Sequence, residues 1–364
     1  MNNMKFTNRI LHSAKLFQFI LLSAFLSSCE DKIEVKEIWV DKYVEQKLDT
    51  ISVIDNWYLD NMTIKDASDT GNEDGLLAMN IHLDGNNLYI ANKKAKCVEV
   101  FDAESLEYKK SISHDGRTLA QDVYVHGDHI FVATGEMCAI QIFDKKDGKY
   151  LTRIGTGSFT GNVSKSGCVA ANDDFVFVRD SKYQDIRVFE RSAISMEKGD
   201  NNTVFARLDT KGFYIASPAE PLSSSYDMNI VGDSLYTFIH CSNLVLAYSL
   251  KDVRELKDAT PVTKTQLDGK TKIYSISAGT QKDAVWISME QNGKKSISEF
   301  STEDFRNRDF SNPLRSFTAN GKYSLPAQPM FSYFNESLIY ISGENIQKWD
   351  IKNNPTYIIE PLSE

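Results

Sequence analysis

The sequence predicts an all-β fold, a six-bladed β-propeller, behind an N-terminal export signal. Three observations predict it. After residue 76 the apolar residues alternate with a period of two, in short runs rich in Val, Ile, Tyr and Phe bounded by Gly, Asp and Asn. No amphipathic helical stretch of comparable strength interrupts them. One unit of strand, turn, strongly apolar strand, polar loop and aromatic-ended strand recurs along the chain, and recurrence at a fixed period marks a repeat architecture.

The signal comes first. Residues 1–28 carry Lys5, Arg9 and Lys15 and no acidic side chain, and Leu16 to Leu26 is apolar except for Gln18 and Ser23. This is a charged region followed by an apolar one, too short to span a bilayer, which takes roughly 20 apolar residues. Leu26-Ser27-Ser28-Cys29 closes it. The tetrad resembles the bacterial lipobox, a branched apolar residue and two small ones before the cysteine that receives lipid. The resemblance implies that residues 1–28 are removed, that Cys29 is lipidated, and that the mature chain is held on a membrane without crossing it.

Residues 29–75 come next, as a lipidated tether or partial blade. Glu30 and Asp31 lie next to the cysteine, as in surface-exported lipoproteins. Ile51-Ser52-Val53-Ile54-Asp55 is strand-like and offers a strand to a seventh, incomplete blade, the alternative to six.

The propeller is assigned to residues 76–364. Its second strands are Leu88 to Ala91, Ile130 to Ala133, Phe175 to Val178, Leu235 to Phe238, Val285 to Ser288 and Leu338 to Ile341. The third strands end on Phe101-Asp102, Phe143-Asp144, Phe189-Glu190, Tyr248-Ser249, Phe300-Ser301 and Trp349-Asp350. Their aromatic residues are 42, 46, 59, 52 and 49 positions apart, the length of a four-stranded blade with insertions. Tyr357-Ile358-Ile359 reads as the fourth strand of the last blade, so the ring is expected to close without a strand from the N-terminal segment. Asp84 to Asn92 with Val98 to Asp102 resembles a YVTN repeat. Gly127 to Ala133 with Ile142 to Asp144 and the stretch up to Gly155 resembles an NHL repeat. These families carry architecture and no catalytic residues to transfer.

Charge narrows the partners. Removing the signal takes the formal balance from −9 to −12, which argues against nucleic acid and against a second electrostatic membrane contact. Cys97, Cys138, Cys168 and Cys241 form no C-x-x-C pair and read as buried thiols, with their disulfide state open.

Strand order sorts residues to faces. The loops between second and third strands share a face with the blade connections, and that face collects His114, Arg117, Arg179, Tyr183, Tyr214 and His240. An aromatic and cationic mouth suits a ligand with flat apolar surface and negative or hydroxyl groups. The bland reading pairs each Arg with a carboxylate and packs each ring between blades. Asn80, Asp122, Asp227 and Asn229, near the starts of first strands, are candidates to converge on calcium at the axis, as in lactonase-like propellers. Against this, such residues commonly cap strands. His126 and His129 flank a hairpin turn and do not read as a metal pair. Glycines 155, 157 and 161 precede no helix and read as a blade connection, and no G-x-S-x-G, H-E-x-x-H or Walker motif occurs.

The expected function is therefore a non-enzymatic binding lipoprotein of the outer membrane, with the leaflet open and no cofactor. It captures an unidentified ligand or partner on the loop-rich face. It is similar to the propeller lipoproteins of Bacteroidota that accompany outer-membrane transporters. The alternatives are a calcium-dependent hydrolase or lyase and a protein-interaction scaffold.

Overall fold

The computed structural model describes residues 48–54, 57–66, 75–114, 116, 118–135, 137–155, 163, 166–180, 185–197, 201, 203–209, 228–239, 244–256, 261, 263–266, 271–278, 284–307, 313–318, 331–342, 345–353 and 356–361. Cys29 lies outside them. The chain divides into two compact units, Trp57–Lys352 and the pair Met1–Asn56 with Asn353–Glu364.

The larger unit holds six four-stranded sheets, five of them antiparallel throughout. Its first strand, Trp57–Asp66, is β2, because Leu48–Ile54 (β1) precedes it in the smaller unit. Blade one is β3 (Ala78–Asp84), β4 (Asn87–Asn92), β5 (Cys97–Asp102) and β6 (Tyr108–Ile112). Blade two is β7 (Asp122–His126), β8 (His129–Ala133), β9 (Ile140–Asp144) and β10 (Tyr150–Ile154). Blade three is β11 (Ser166–Ala171), β12 (Phe175–Asp180), β13 (Asp185–Glu190) and β14 (Ala206–Asp209). Blade four is β15 (Met228–Val231), β16 (Ser234–Ile239), β17 (Leu244–Ser249) and β18 (Thr263–Gln266). Blade five is β19 (Thr271–Ala278), β20 (Ala284–Gln291), β21 (Lys294–Ser301) and β22 (Arg315–Thr318). Blade six takes β23 (Phe331–Phe334), β24 (Ser337–Ser342) and β25 (Asn345–Asn353) from the C-terminal part, and β2 pairs beside β25 as its outermost strand.

The innermost strands β3, β7, β11, β15, β19 and β23 each touch the next, and β23 touches β3, so the ring is closed with six blades. A lone sheet of this kind leaves an apolar face bare, and radial stacking covers it. Six clusters of buried side chains record the stacking, one at every blade boundary. The cluster of Leu88, Ile90 and Phe101 with Phe334, Ile339 and Ile341 joins the last blade to the first.

The closing strand differs from the expectation drawn from Tyr357 to Ile359. Those residues do form a strand, Thr356–Pro361 (β26), but it pairs with β1 in the smaller unit, Ile51 opposite Ile359. The fourth strand of blade six is β2, supplied from the N-terminal side. Residues 51–54 therefore belong to this two-stranded sheet and not to a seventh blade.

The recurring third-strand ending has two parts with separate physics. The six aromatic residues are at most 1% exposed and wedge between blades. In blades one, two, four and five the neighbour on the C-terminal side of the aromatic residue caps the adjoining turn or helix, whereas Glu190 of blade three makes no side-chain cap bond. Asp102 Oδ1 accepts the N–H groups of Glu104 and Ser105 (3.0 and 2.9 Å), and Asp144 Oδ1 those of Lys146 and Asp147 (2.8 and 3.2 Å), which tightens the hairpin to the fourth strand. In blades four and five the residue is serine. Ser249 Oγ accepts from Asp252 N–H and Ser301 Oγ from Asp304 N–H, at the starts of short helices Leu250–Leu256 and Thr302–Asn307. These helices lengthen their units, and they bury Val253 and Phe305 in the core.

Candidate functional site

The inner strands enclose an axial cavity of about 240 Å3 to which all but the third contribute polar side chains, among them Asn80, His82, Asp122, Tyr124, Asn229 and Ser332. Asn80, Asp122 and Asn229 line this cavity; Asp227 lies outside the described residues. Each of the three makes the same local bond, its side-chain oxygen accepting the next residue's N–H at 2.8 Å. This fixes the start of the inner strand.

Asp122 does more. Its Oδ1 also accepts the Asn80 side-chain amide of blade one, and its Oδ2 accepts the Val169 N–H of blade three at 2.7 Å. The residue is 3% exposed. One carboxylate therefore ties three consecutive blades together, with three of its roughly four acceptor positions taken by groups of the protein itself. No group of three or more His, Cys, Asp and Glu is placed to hold a metal ion among the described residues.

Beside Asp122 an aromatic pair crosses the cavity. The rings of His82 and Tyr124 lie 4.3 Å apart at 44°. His82 keeps partial contact with the cavity, yet the packed strands strip most of its water, and this burial lowers its imidazole to about 4 although Asp84 opposes the shift. Burial likewise raises the Tyr124 phenol, whose hydroxyl reaches the backbone of Ile230 in blade four. At neutral pH both rings are uncharged, so Asp122 sits beside polar but neutral neighbours.

The loop-face candidates do not assemble among the described residues. His114 stacks on Tyr150 of β10, centroids 3.9 Å apart at 15°, and its N–H donates to Thr118 Oγ1, which donates to Gln141. Arg179 is 1% exposed inside blade three. In strand register it takes the place of Ala91 and Ala133 in the two preceding blades, opposite Ile186 and beside Cys168. Arg117, Tyr183, Tyr214 and His240 lie outside the described residues.

The chain matches no known protein family and no curated protein by sequence. Among solved structures it is similar to hydrazine synthase of Kuenenia stuttgartiensis, at 11% identity and a TM-score of 0.49, over 74% of each chain. It is also similar to virginiamycin B lyase from Staphylococcus aureus, at 10% identity and 0.47, over 81% of this chain and 99% of that one.

The remaining candidate residues have structural work. His126 Nε2 pairs with Asp173 at 2.8 Å and His129 Nδ1 with Arg191 at 3.2 Å, each bond running from blade two to blade three. Burial and then Arg191 lower the His129 imidazole. Gly155 has φ +99°, and a Cβ there would stand 2.6 Å from the Cys138 carbonyl oxygen. Glycine is required by that close approach of two backbones. Cys97, Cys138 and Cys168 are buried thiols; Cys241 lies outside the described residues. Sequence reasoning missed His82 and Tyr124, whose places in the inward alternation of β3 and β7 were the available signal.

Proposed function

We propose that this chain is a membrane-anchored binding lipoprotein, lipidated at Cys29, that captures a ligand or holds a partner on a rigid propeller without breaking a bond. An outer-membrane transporter is the partner this reading favours. The lipobox-like tetrad supports the anchor. No helix among the described residues is long and apolar enough to cross a membrane.

The observation that carries the non-catalytic reading is the state of Asp122. A general base or cation ligand at the axis needs exposed lone pairs, and this carboxylate spends its oxygens on Asn80, Val123 and Val169. The cavity is then a structural hub, and binding falls to the outer surfaces, where loops on a rigid scaffold commonly serve it.

Two measurements test the reading. Cys29→Ser should move the chain from the membrane to the soluble fraction after export, and should abolish incorporation of labelled palmitate. A chelator should leave Tm within about 1 °C of its starting value, because bound metal stabilises by mass action. A fall of several degrees, reversed by calcium, would replace the binding reading with the calcium-dependent one.

A further inference from the structure

A groove of about 600 Å3 lies between blades one and two, on the side of the strand hairpins. Lys109 and Lys110 from β6 and Lys145 and Lys146 from the turn after β9 line it, in a chain whose formal charge is −9. Its volume falls within the range of about 300–1,000 Å3 common for small-molecule sites.

The four ammonium groups are not equivalent. Lys109 pairs with Asp102 at 2.9 Å and Lys145 with Asp84 at 3.0 Å, so these two are neutralised. Lys110 bridges the blades by donating to the main-chain carbonyls of Lys145 and Lys146, at 3.4 and 3.1 Å. Those acceptors position its charge without cancelling it. Neither Lys110 nor Lys146 has a carboxylate partner among the described residues. Two cations, one of them preorganised, therefore face the groove.

Two carboxylates share the lining. Asp144 turns Oδ1 toward its own hairpin N–H groups, whereas Asp128, in the turn between β7 and β8, is exposed. A bare polyanion would be repelled by Asp128. A ligand that carries an anionic group for the lysines and a hydroxyl donor for Asp128 satisfies both kinds of charge at once.

We infer that this groove binds an acidic sugar, a hydroxylated ring bearing a carboxylate or a phosphate, with the anionic group on Lys110 and Lys146 and a ring hydroxyl on Asp128. The inference deepens the binding reading above and rests on it.

Isothermal titration of the full chain tests it with four probes: glucuronate, glucose 6-phosphate, glucose and inorganic phosphate. At least one acidic sugar should bind, and glucose and phosphate should each bind about tenfold more weakly or worse. Preference between the two acidic sugars distinguishes the carboxylate from the phosphate source. The double variant Lys110→Ala with Lys146→Ala should weaken the favoured sugar about tenfold or more, while Lys110→Arg retains binding. Asp128→Asn should weaken the sugar and not phosphate. An unchanged circular dichroism spectrum and Tm show that the variants are folded, and Lys146→Ala alone, on an exposed side chain, repeats the test where the double variant is unstable. Three results each overturn the inference: absence of binding by both acidic sugars at 10 mM, phosphate binding as tightly as either sugar, or affinity unaltered by loss of the lysines. The palmitate and fractionation assays read the anchor independently of this groove, so the two proposals fail separately.

Discussion

Two residues at the axis respond in different ways to change. Asp122→Ala removes the acceptor of the Val169 N–H and of the Asn80 amide, leaving a buried donor unsatisfied at a junction of three blades. A cost of about 1–3 kcal/mol is expected, read as a lower urea midpoint with little change in slope. His82 sets a pH dependence. Its folded value, about 4, lies below the unfolded value of about 6.5, so the unfolded chain takes the proton first as pH falls. The stability it protects is intact above about pH 6.5 and is lost progressively down to about pH 4, by roughly 3 kcal/mol at most. His82→Gln should flatten ΔG of unfolding across that window, and an undiminished slope in the variant would assign it to other groups. Asp102 and Asp144, held low chiefly by backbone N–H groups, lose their contribution only at still lower pH.

Among the elements, β2 carries the sharpest expectation. As the outermost strand of blade six it covers β25, which would otherwise present an unpaired edge. A chain begun at Trp57 should keep the ring, whereas one begun at Ser68 should melt roughly 5 °C lower or more and lose single-step unfolding, as followed by calorimetry. This strand is also where the sequence was least legible. The six third-strand endings announced themselves because an aromatic and a small polar or acidic neighbour recur in every blade. Trp57–Asp66 repeats nothing, and its partner lies at the far end of the chain. Tyr357 to Ile359 was readable as a strand but not as the partner of β1, because alternation specifies which face is buried and not which strand lies alongside. At the axis, Asn80 and Asp122 stood out as polar residues at strand starts. The groove lysines did not, since hairpin lysines are ordinary and only the register of two blades brings Lys110 onto the Lys145 and Lys146 carbonyls.

At the scale of the whole molecule, the six boundary clusters make the ring mutually dependent: each blade covers its neighbour's apolar face, and the sixth covers the first. Such an arrangement makes a stiff frame, and Asp122 adds to it by bonding blade two to blades one and three at the axis. The strand exchange at blade six also has a kinetic side. On the proposed export route β2 leaves the translocation apparatus near the beginning, while its partner β25 emerges near the end, and contacts so distant along the chain form slowly. Until then the protein must carry an unmatched strand close to its N-terminal end. A chaperone that shelters that strand, and a protease that removes chains arrested before residue 345, would see the same open circle.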